Sequence, residues 1–209
     1  MKIGILAVQG AFLEHEKMLD ALGISYVELR KAEDLDSSYD GLILPGGEST
    51  VQGKLLRELG MFDTIQSQIL RGMPVLATCA GMILLAKELD GDPTTHLATL
   101  PVCVRRNAYG RQLGSFHTKA VLDGIGEIPM TFIRAPFVKS TEDGVKVLAT
   151  VDDHIVAVQY KNQIALSFHP ELDDDLRLHN YFLSLIHAKS DCCGLLLLWN
   201  PQLFYISIS

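Results

Sequence analysis

Up to about residue 90, short apolar runs alternate with segments whose apolar residues recur every three to four positions. "KIGILAV", "ISYVEL", "GLILP" and "PVLAT" read as strands; "AFLEHEKMLDAL", "TVQGKLLREL", "MFDTIQSQIL" and "GMILLAKEL" read as helices. A chain that alternates in this way folds as a mostly parallel sheet with helices on both faces, because each crossover returns the chain to the same end of the sheet. Continuous apolar runs such as "GLILP" suit strands covered on both sides. In the first helical segment Phe12, Leu13, Met18, Leu19 and Leu22 fall near the helical period, and Gly23 supplies the stop. Gly60 separates the second and third helices.

Beyond about residue 95 the pattern changes. "VCVRR", "GSFHTKAV", "MTFIRAPFV", "VKVLATV", "HIVAVQYK" and "QIALSF" are strand-like with turn signals between them. Such a run predicts antiparallel strands added to the parallel core. "LDDDLRLHNYFLSLIHAK" then closes the unit as an amphipathic helix, with "DDD" at 173–175 at its start, where the helix dipole favours negative charge. There is neither an internal repeat nor a Pro/Gly/Ser linker, so residues 1–188 are expected to form one domain. The segment 189–209, "SDCCGLLLLWNPQLFYISIS" from Ser190 on, departs from this logic: it is apolar yet too short to span a bilayer. Docking on a partner or a second copy would explain it, but the favoured reading is appended sequence or a shifted reading frame, since so apolar an end is poorly suited to exposure.

The 25 acidic residues against 18 basic ones give a net charge of −7, which argues against a nucleic-acid or anionic-membrane surface. "MKIGILAVQG" lacks a proper apolar core and cleavage site for export and reads as a first strand. Cys79, Cys103, Cys192 and Cys193 show neither metal-ligand nor disulfide-framework spacing, so a reducing cytoplasm is the expected compartment.

Four segments carry candidate chemistry. In "LATCAGM" a strand runs into Cys79 and then a helix, the arrangement of a nucleophile elbow, whose crowded turn demands small neighbours such as Ala77 and Gly81. Helix N–H groups aimed at the sulfur would favour thiolate. Packing alone also accounts for a small buried cysteine, and this segment leaves both readings open. In "SFHPEL", His169 and Glu171 are two residues apart, so an extended segment projects both to one side; they would supply a base and its orienting acceptor. The other histidines lack a carboxylate so placed, although Glu14 and Glu16 flank His15 on the first helix; His179 and His187, on one helix, read as packing or surface residues. "LPGGEST" exposes backbone N–H groups of Gly46 and Gly47 to an anion or oxyanion, or forms a tight turn with a Ser/Thr helix cap. It matches neither a dinucleotide fingerprint nor a P-loop. "RRNAYGRQ" and "FIRAP" bring in arginines that match a substrate carboxylate, or that form surface ion pairs.

Taken together and in order, "PGGEST", "TCAGM", "RNAYGRQ", "FIRAP" and "HPEL" resemble the class I, triad-type glutamine amidotransferases, and among them the glutaminase subunits of pyridoxal 5'-phosphate synthase, as does the opening "GILAVQGAFLEH". The resemblance spans residues 1 to about 188. It implies a flavodoxin-like α/β fold with added antiparallel strands. It makes Cys79 the nucleophile, His169 the general base and acid, and Glu171 the group that orients the imidazole. It places the oxyanion hole at Gly46, Gly47 and Ala80, and glutamine binding at Gly47, Glu48, Ser49, Arg106, Ile133 and Arg134. The implied reaction is hydrolysis of L-glutamine to glutamate and ammonia through a thioester, without a metal or organic cofactor. The implied partner is a (β/α)8-barrel synthase subunit that receives the ammonia. Before that partner docks, the Gly46–Gly47 hole is expected to be incompletely formed. A glutaminase serving a different synthase, and a non-catalytic module that kept the fold, are the alternatives.

Overall fold

The computed structural model describes residues 1–106 and 115–197, with side chains up to residue 187. Most of the "RNAYGRQ" segment, at 107–114, and the last residues, 198–209, lie outside the described residues. In the first half, β1 (Lys2–Leu6), α1 (Phe12–Ala21), β2 (Ser25–Leu29), β3 (Gly41–Leu44), α2 (Ser49–Glu58), α3 (Phe62–Leu70) and β4 (Val75–Thr78) follow one another. There follow α4 (Ala80–Leu85), β5 (Ala86–Leu89), β6 (Leu100–Arg105), β7 (Ser115–Leu122), β8 (Gly126–Ile133), β9 (Phe137–Thr141), β10 (Lys146–Val151), β11 (His154–Tyr160), β12 (Gln163–Leu166) and α5 (Arg177–Leu197).

The large sheet runs β2-β1-β3-β4-β12-β11-β9-β6-β5, with β10 also pairing β11. The pairs from β2 to β12 are parallel, as the alternating first half requires. From β12 through β11 and β9 to β6 the pairing is antiparallel. β12 therefore belongs to both halves: it is parallel to β4 on one side and antiparallel to β11 on the other. The sequence pattern had grouped it with the antiparallel strands alone. β7 and β8 form a separate antiparallel ribbon.

The period-2 geometry of the strands sorts the core into two layers. Leu42, Leu44, Val75, Ala77 and Ala165 face Leu56 of α2, Ile65 and Ile69 of α3, and Met82 and Leu85 of α4. Ile3, Ile5, Ile43, Leu76, Ile164 and Leu166 face Leu19 of α1 and Leu178, Phe182 and Ile186 of α5. With both faces covered, β3, β4 and β12 are buried at every position, which is why they read as mostly apolar runs; Thr78 and Gln163 are their buried polar members.

Four expectations are corrected. The helix expected over "GMILLAKEL" stops at Leu85, where Ala86 turns to extended geometry; Ala86 and Leu89 are buried, Lys87 and Glu88 exposed, and the segment adds to the sheet beside β6. The strand expected over "MTFIRAPFV" is two strands in different sheets, broken at Arg134, whose φ is 44°. Leu13 points outward at 52% exposure, and α1 buries His15 and Glu16 alongside Met18 and Leu19. The closing helix begins at Arg177, whose N–H donates to Asp175 Oδ1 at 3.0 Å, and it runs on to Leu197, past the expected end at Lys189. Among the described residues, no helix is long and apolar enough to cross a membrane.

Candidate active site

The loops after β1, β3, β4 and β12 meet at the carboxyl ends of the parallel strands, where open α/β sheets place their ligand crevices. Cys79 sits between β4 and α4 with φ 48° and ψ −100°, a conformation that costs a non-glycine residue about 1–3 kcal/mol and persists only where the surroundings enforce it. Its N–H donates to the Leu166 carbonyl on β12 at 2.8 Å, which holds the turn to the neighbouring strand. Gly81 two residues on is a steric necessity: a Cβ there would stand 2.1 Å from the Leu44 carbonyl oxygen. The sulfur lies 3.9 Å from the Ile133 carbonyl oxygen, and Cys79 is only 8% exposed.

β12 delivers the histidine. Its register against β4 pairs Leu166 with Thr78, so the residues just beyond each strand emerge side by side. His169 is fixed from behind by its own N–H, which donates to the Thr131 carbonyl of β8 at 2.8 Å. Pro170 to Leu172 form one 3-10 turn, with proline in its first turn, where a missing N–H is harmless. This replaces the extended segment expected from the sequence, yet the outcome for the side chains is the same: His169 Nδ1 and Glu171 Oε1 are 2.8 Å apart. Cys79 lies beside His169 and acts on its charge. Burial alone would keep the imidazole neutral, but the contacts with Cys79 and Glu171 and their charges outweigh it and raise its pKa from 6.5 to about 10. For Glu171, burial works to raise the pKa, while His15 and His169 beside it hold the carboxyl below its ordinary value. A sulfur, an imidazole and an ionised carboxylate in this sequence can generate a nucleophile, shuttle its proton and stabilise the imidazolium that results.

The Gly46–Gly47 turn lies over the histidine. A Cβ on Gly46 would come within 2.2 Å of His169 Cε1, and one on Gly47 within 2.5 Å of Gln9 Oε1. Gly46 was expected to offer its N–H to an oxyanion; instead that N–H donates to Thr78 Oγ1 at 2.9 Å, and the Gly46 carbonyl accepts from Ala11 N–H at 2.9 Å. Among the described residues no hydrogen bond engages the N–H groups of Gly47 or Ala80. The cap of α2 is Glu48 rather than a Ser or Thr: its carboxylate accepts from Thr50 N–H at 3.1 Å, and its own N–H donates to Gln9 Oε1 at 2.9 Å.

Gly47, Glu48, Ser49, Arg106, Ile133 and Arg134, the six expected glutamine-binding positions, line one cavity of about 310 Å³ together with Cys79. Arg106 is held there by Asp92 Oδ2 at 2.5 Å and by Thr50 Oγ1 at 3.3 Å. A second cavity of about 420 Å³ opens on the His169 side of the sulfur, between Gln9, Glu14 and Leu172. Residues that sequence reasoning passed over are Gln9, Thr78, His15 and His179. Thr78 precedes the nucleophile and touches both Gly46 and Glu171; the two histidines are fully buried behind the carboxylate. Only the position of His15 one helical turn before Met18 and Leu19 hinted at burial.

Fold and site together define a cysteine-dependent amidotransferase of the α/β type. The chain belongs to the SNO glutamine amidotransferase family, whose model matches residues 5–188. It is 59% identical over 194 residues to the pyridoxal 5'-phosphate synthase subunit PdxT of Desulfitobacterium hafniense, covering 92% of this chain and 98% of that one. It is 58% identical over 193 residues to the PdxT subunit of Streptococcus pneumoniae, covering 91% of this chain and all of that one. A crystal structure described as a glutamine amidotransferase superposes with a TM-score of 0.85 at 45% identity, covering 88% of this chain and 98% of the other.

Proposed function

We propose that the chain is the glutaminase subunit of a pyridoxal 5'-phosphate synthase, hydrolysing L-glutamine and handing the ammonia to a (β/α)8-barrel synthase subunit. The observation that carries the reading is Cys79 beside His169, itself hydrogen-bonded to Glu171, with the sulfur lining a cavity together with all six expected substrate positions. The names of relatives near 59% identity support the choice of acceptor.

In this reading the α-carboxylate of glutamine lies against the guanidinium groups of Arg106 and Arg134, and Glu48 accepts from its ammonium. The Cys79 thiolate attacks the side-chain carboxamide carbon, and the carbonyl becomes an oxyanion that accepts from the N–H groups of Gly47 and Ala80. His169, protonated, gives its proton to the departing nitrogen, so ammonia leaves and a γ-glutamyl thioester remains. Neutral His169 then takes a proton from water, which attacks the thioester; glutamate leaves and the thiolate and imidazolium pair is restored. Glu171 holds the imidazole in the tautomer with Nδ1–H throughout. Because Gly46 N–H is held by Thr78, the hole rests on two donors in the isolated chain, which supports a subunit that works slowly until its partner reshapes the turn.

The test is glutamate release from glutamine, with and without a barrel synthase subunit, for the wild-type protein and Cys79→Ala. Synthase-stimulated, Cys79-dependent release is the expected result. Release that is absent, or that survives Cys79→Ala, overturns the reading.

A further inference from the structure

Behind Glu171, on the side away from both cavities, lie polar groups that the reaction above does not use. His15 of α1, Thr78 of β4 and His179 of α5 are each 0% exposed. His15 Nδ1 is 3.1 Å from His179 Nε2, and His15 Nε2 is 3.4 Å from Thr78 Oγ1 and 3.5 Å from Glu171 Oε2. We propose that His15 and His179 are positioning residues that extend the triad into a proton-ordered chain, His179 to His15 to Glu171 to His169, which fixes the carboxylate and through it the catalytic imidazole. The inference rests on reading Cys79, His169 and Glu171 as the triad.

The direction of every proton follows from the contacts. Glu171 Oε1 accepts from His169 Nδ1–H at 2.8 Å and from the Thr78 hydroxyl at 3.4 Å. Oε2 has no close hydrogen bond, and His15 Nε2 is the cationic-capable group beside it. A buried carboxylate with a bare oxygen is costly, so a donor is required there. Thr78 gives its single proton to Glu171 and accepts from Gly46 N–H at 2.9 Å, so it too presents only lone pairs to His15. Both neighbours of His15 Nε2 are acceptors; this nitrogen carries the proton. Neutral His15 then turns a lone pair at Nδ1 toward His179, and His179 Nε2–H must donate. His179 Nδ1 is left as an acceptor with no partner among the described residues.

Neutrality is enforced by the surroundings. Burial lowers the His15 pKa and the charge of His169 adds to that, against the opposing pull of Glu171 and Glu14. For His179, burial and then His15 lower it to about 3, with Glu171 opposing. These residues, from α1, the 3-10 turn and α5, are the titratable groups that face the pair; β4 contributes the uncharged Thr78. The arrangement makes the closing helix part of the site, since α5 sets the tautomer of His15 and His15 supplies the donor for Oε2.

Steady-state glutaminase kinetics of the complex with a barrel synthase subunit test this for His15→Leu, His15→Gln, His179→Leu and Cys79→Ala. His15→Leu is expected to lower kcat by about ten- to a hundredfold, the scale of one hydrogen bond to a charge, with KM for glutamine within about twofold. The acid limb of its kcat–pH profile moves upward, because Glu171 loses the N–H that stabilises its ionised form at Oε2. His15→Gln, whose amide can donate to Oε2, recovers most of the loss, and His179→Leu falls between the two. Nitrogen-15 histidine spectra of the wild-type protein should show neutral, Nε2–H tautomers for both His15 and His179 from pH 6 to 8. An Nδ1–H tautomer at His15, or wild-type kinetics in His15→Leu, overturns the proposal. Should His15→Leu fail to fold, the tautomer measurement decides. Activity that survives Cys79→Ala removes the triad reading itself, a different failure from Cys79-dependent activity indifferent to His15.

Discussion

Replacing Gly46 with alanine adds one methyl group where the imidazole of His169 already lies. The ideal Cβ would sit 2.2 Å from Cε1 and 2.9 Å from Nδ1, against the 3.4 Å at which ordinary contact begins. The ring must therefore retreat by about 1.2 Å, or the turn must lift by as much. Neither is free to move: the ring is held by Glu171 at 2.8 Å and by its own backbone to Thr131 at 2.8 Å, and Gly46 by Thr78 and Ala11, each at 2.9 Å. A misplacement of about 1 Å in a catalytic group costs on the order of a hundredfold in rate, or about 2.7 kcal/mol of barrier. The backbone itself tolerates alanine, since Gly46 is not among the positive-φ glycines, and removing a glycine even restricts the unfolded chain. Gly46→Ala should thus lower kcat/KM for glutamine by about a hundredfold while its melting temperature shifts by only a few degrees. Gly23→Ala is the converse control: nothing lies within 4 Å of its Cβ, but φ is +67°, so stability falls by about 1–2 kcal/mol with kcat unchanged. The assay is glutamate release in the synthase complex, paired with thermal melting. A Gly46→Ala enzyme within about threefold of wild type would refute the claim that this glycine is kept for the imidazole.

Two further outcomes follow from the buried polar groups. Thr78→Val keeps the shape but leaves the Gly46 N–H and one face of Glu171 without a hydroxyl; a loss of about 1–3 kcal/mol is expected by urea unfolding, and a change under about 0.5 kcal/mol would contradict it. His179 stays neutral in the folded chain down to about pH 3 but binds a proton near 6.5 once unfolded, so it drains stability as pH falls from 6.5 toward 3. His179→Gln removes that drain: its melting temperature relative to wild type should stay level between pH 8 and about pH 7 and rise from there to pH 5, and a constant offset throughout would refute the assignment.

The parallel half of the fold was legible because β1, β3 and β4, buried between two helical layers, leave mostly apolar runs with glycine-marked ends. "AKEL" misled because Ala, Lys, Glu and Leu all favour helix, and only the exposure of Lys87 and Glu88 beside β6 makes it a strand. Arg134 gave no sign that it would break a strand, because a positive φ at an arginine is not written in its side chain. The proposed triad positions lie in two short motifs, Cys79 just after β4 and His169 and Glu171 just after β12, and so were visible locally. The histidines behind it could not: His15 and His179 are 164 residues apart and meet only when α1 and α5 pack on the same face. The committed N–H of Gly46 is likewise a tertiary fact, decided by a threonine hydroxyl on the next strand.

The place of β12 in the sheet also orders events in time. Strands β1 to β4 and the helices that cover one of their faces are complete before residue 90, so the turn bearing the nucleophile emerges from synthesis with one edge of β4 bare. The strand that closes that edge, the base that follows it and the helix that seals α1 come only after residue 162. Pairing across so long a stretch of chain is slow, and a bare strand edge invites the wrong neighbour meanwhile. Catalytic competence is thus the last property the nascent polypeptide acquires. A chain released early, before β12, would carry Cys79 without the base and the carboxylate that the proposed reaction requires.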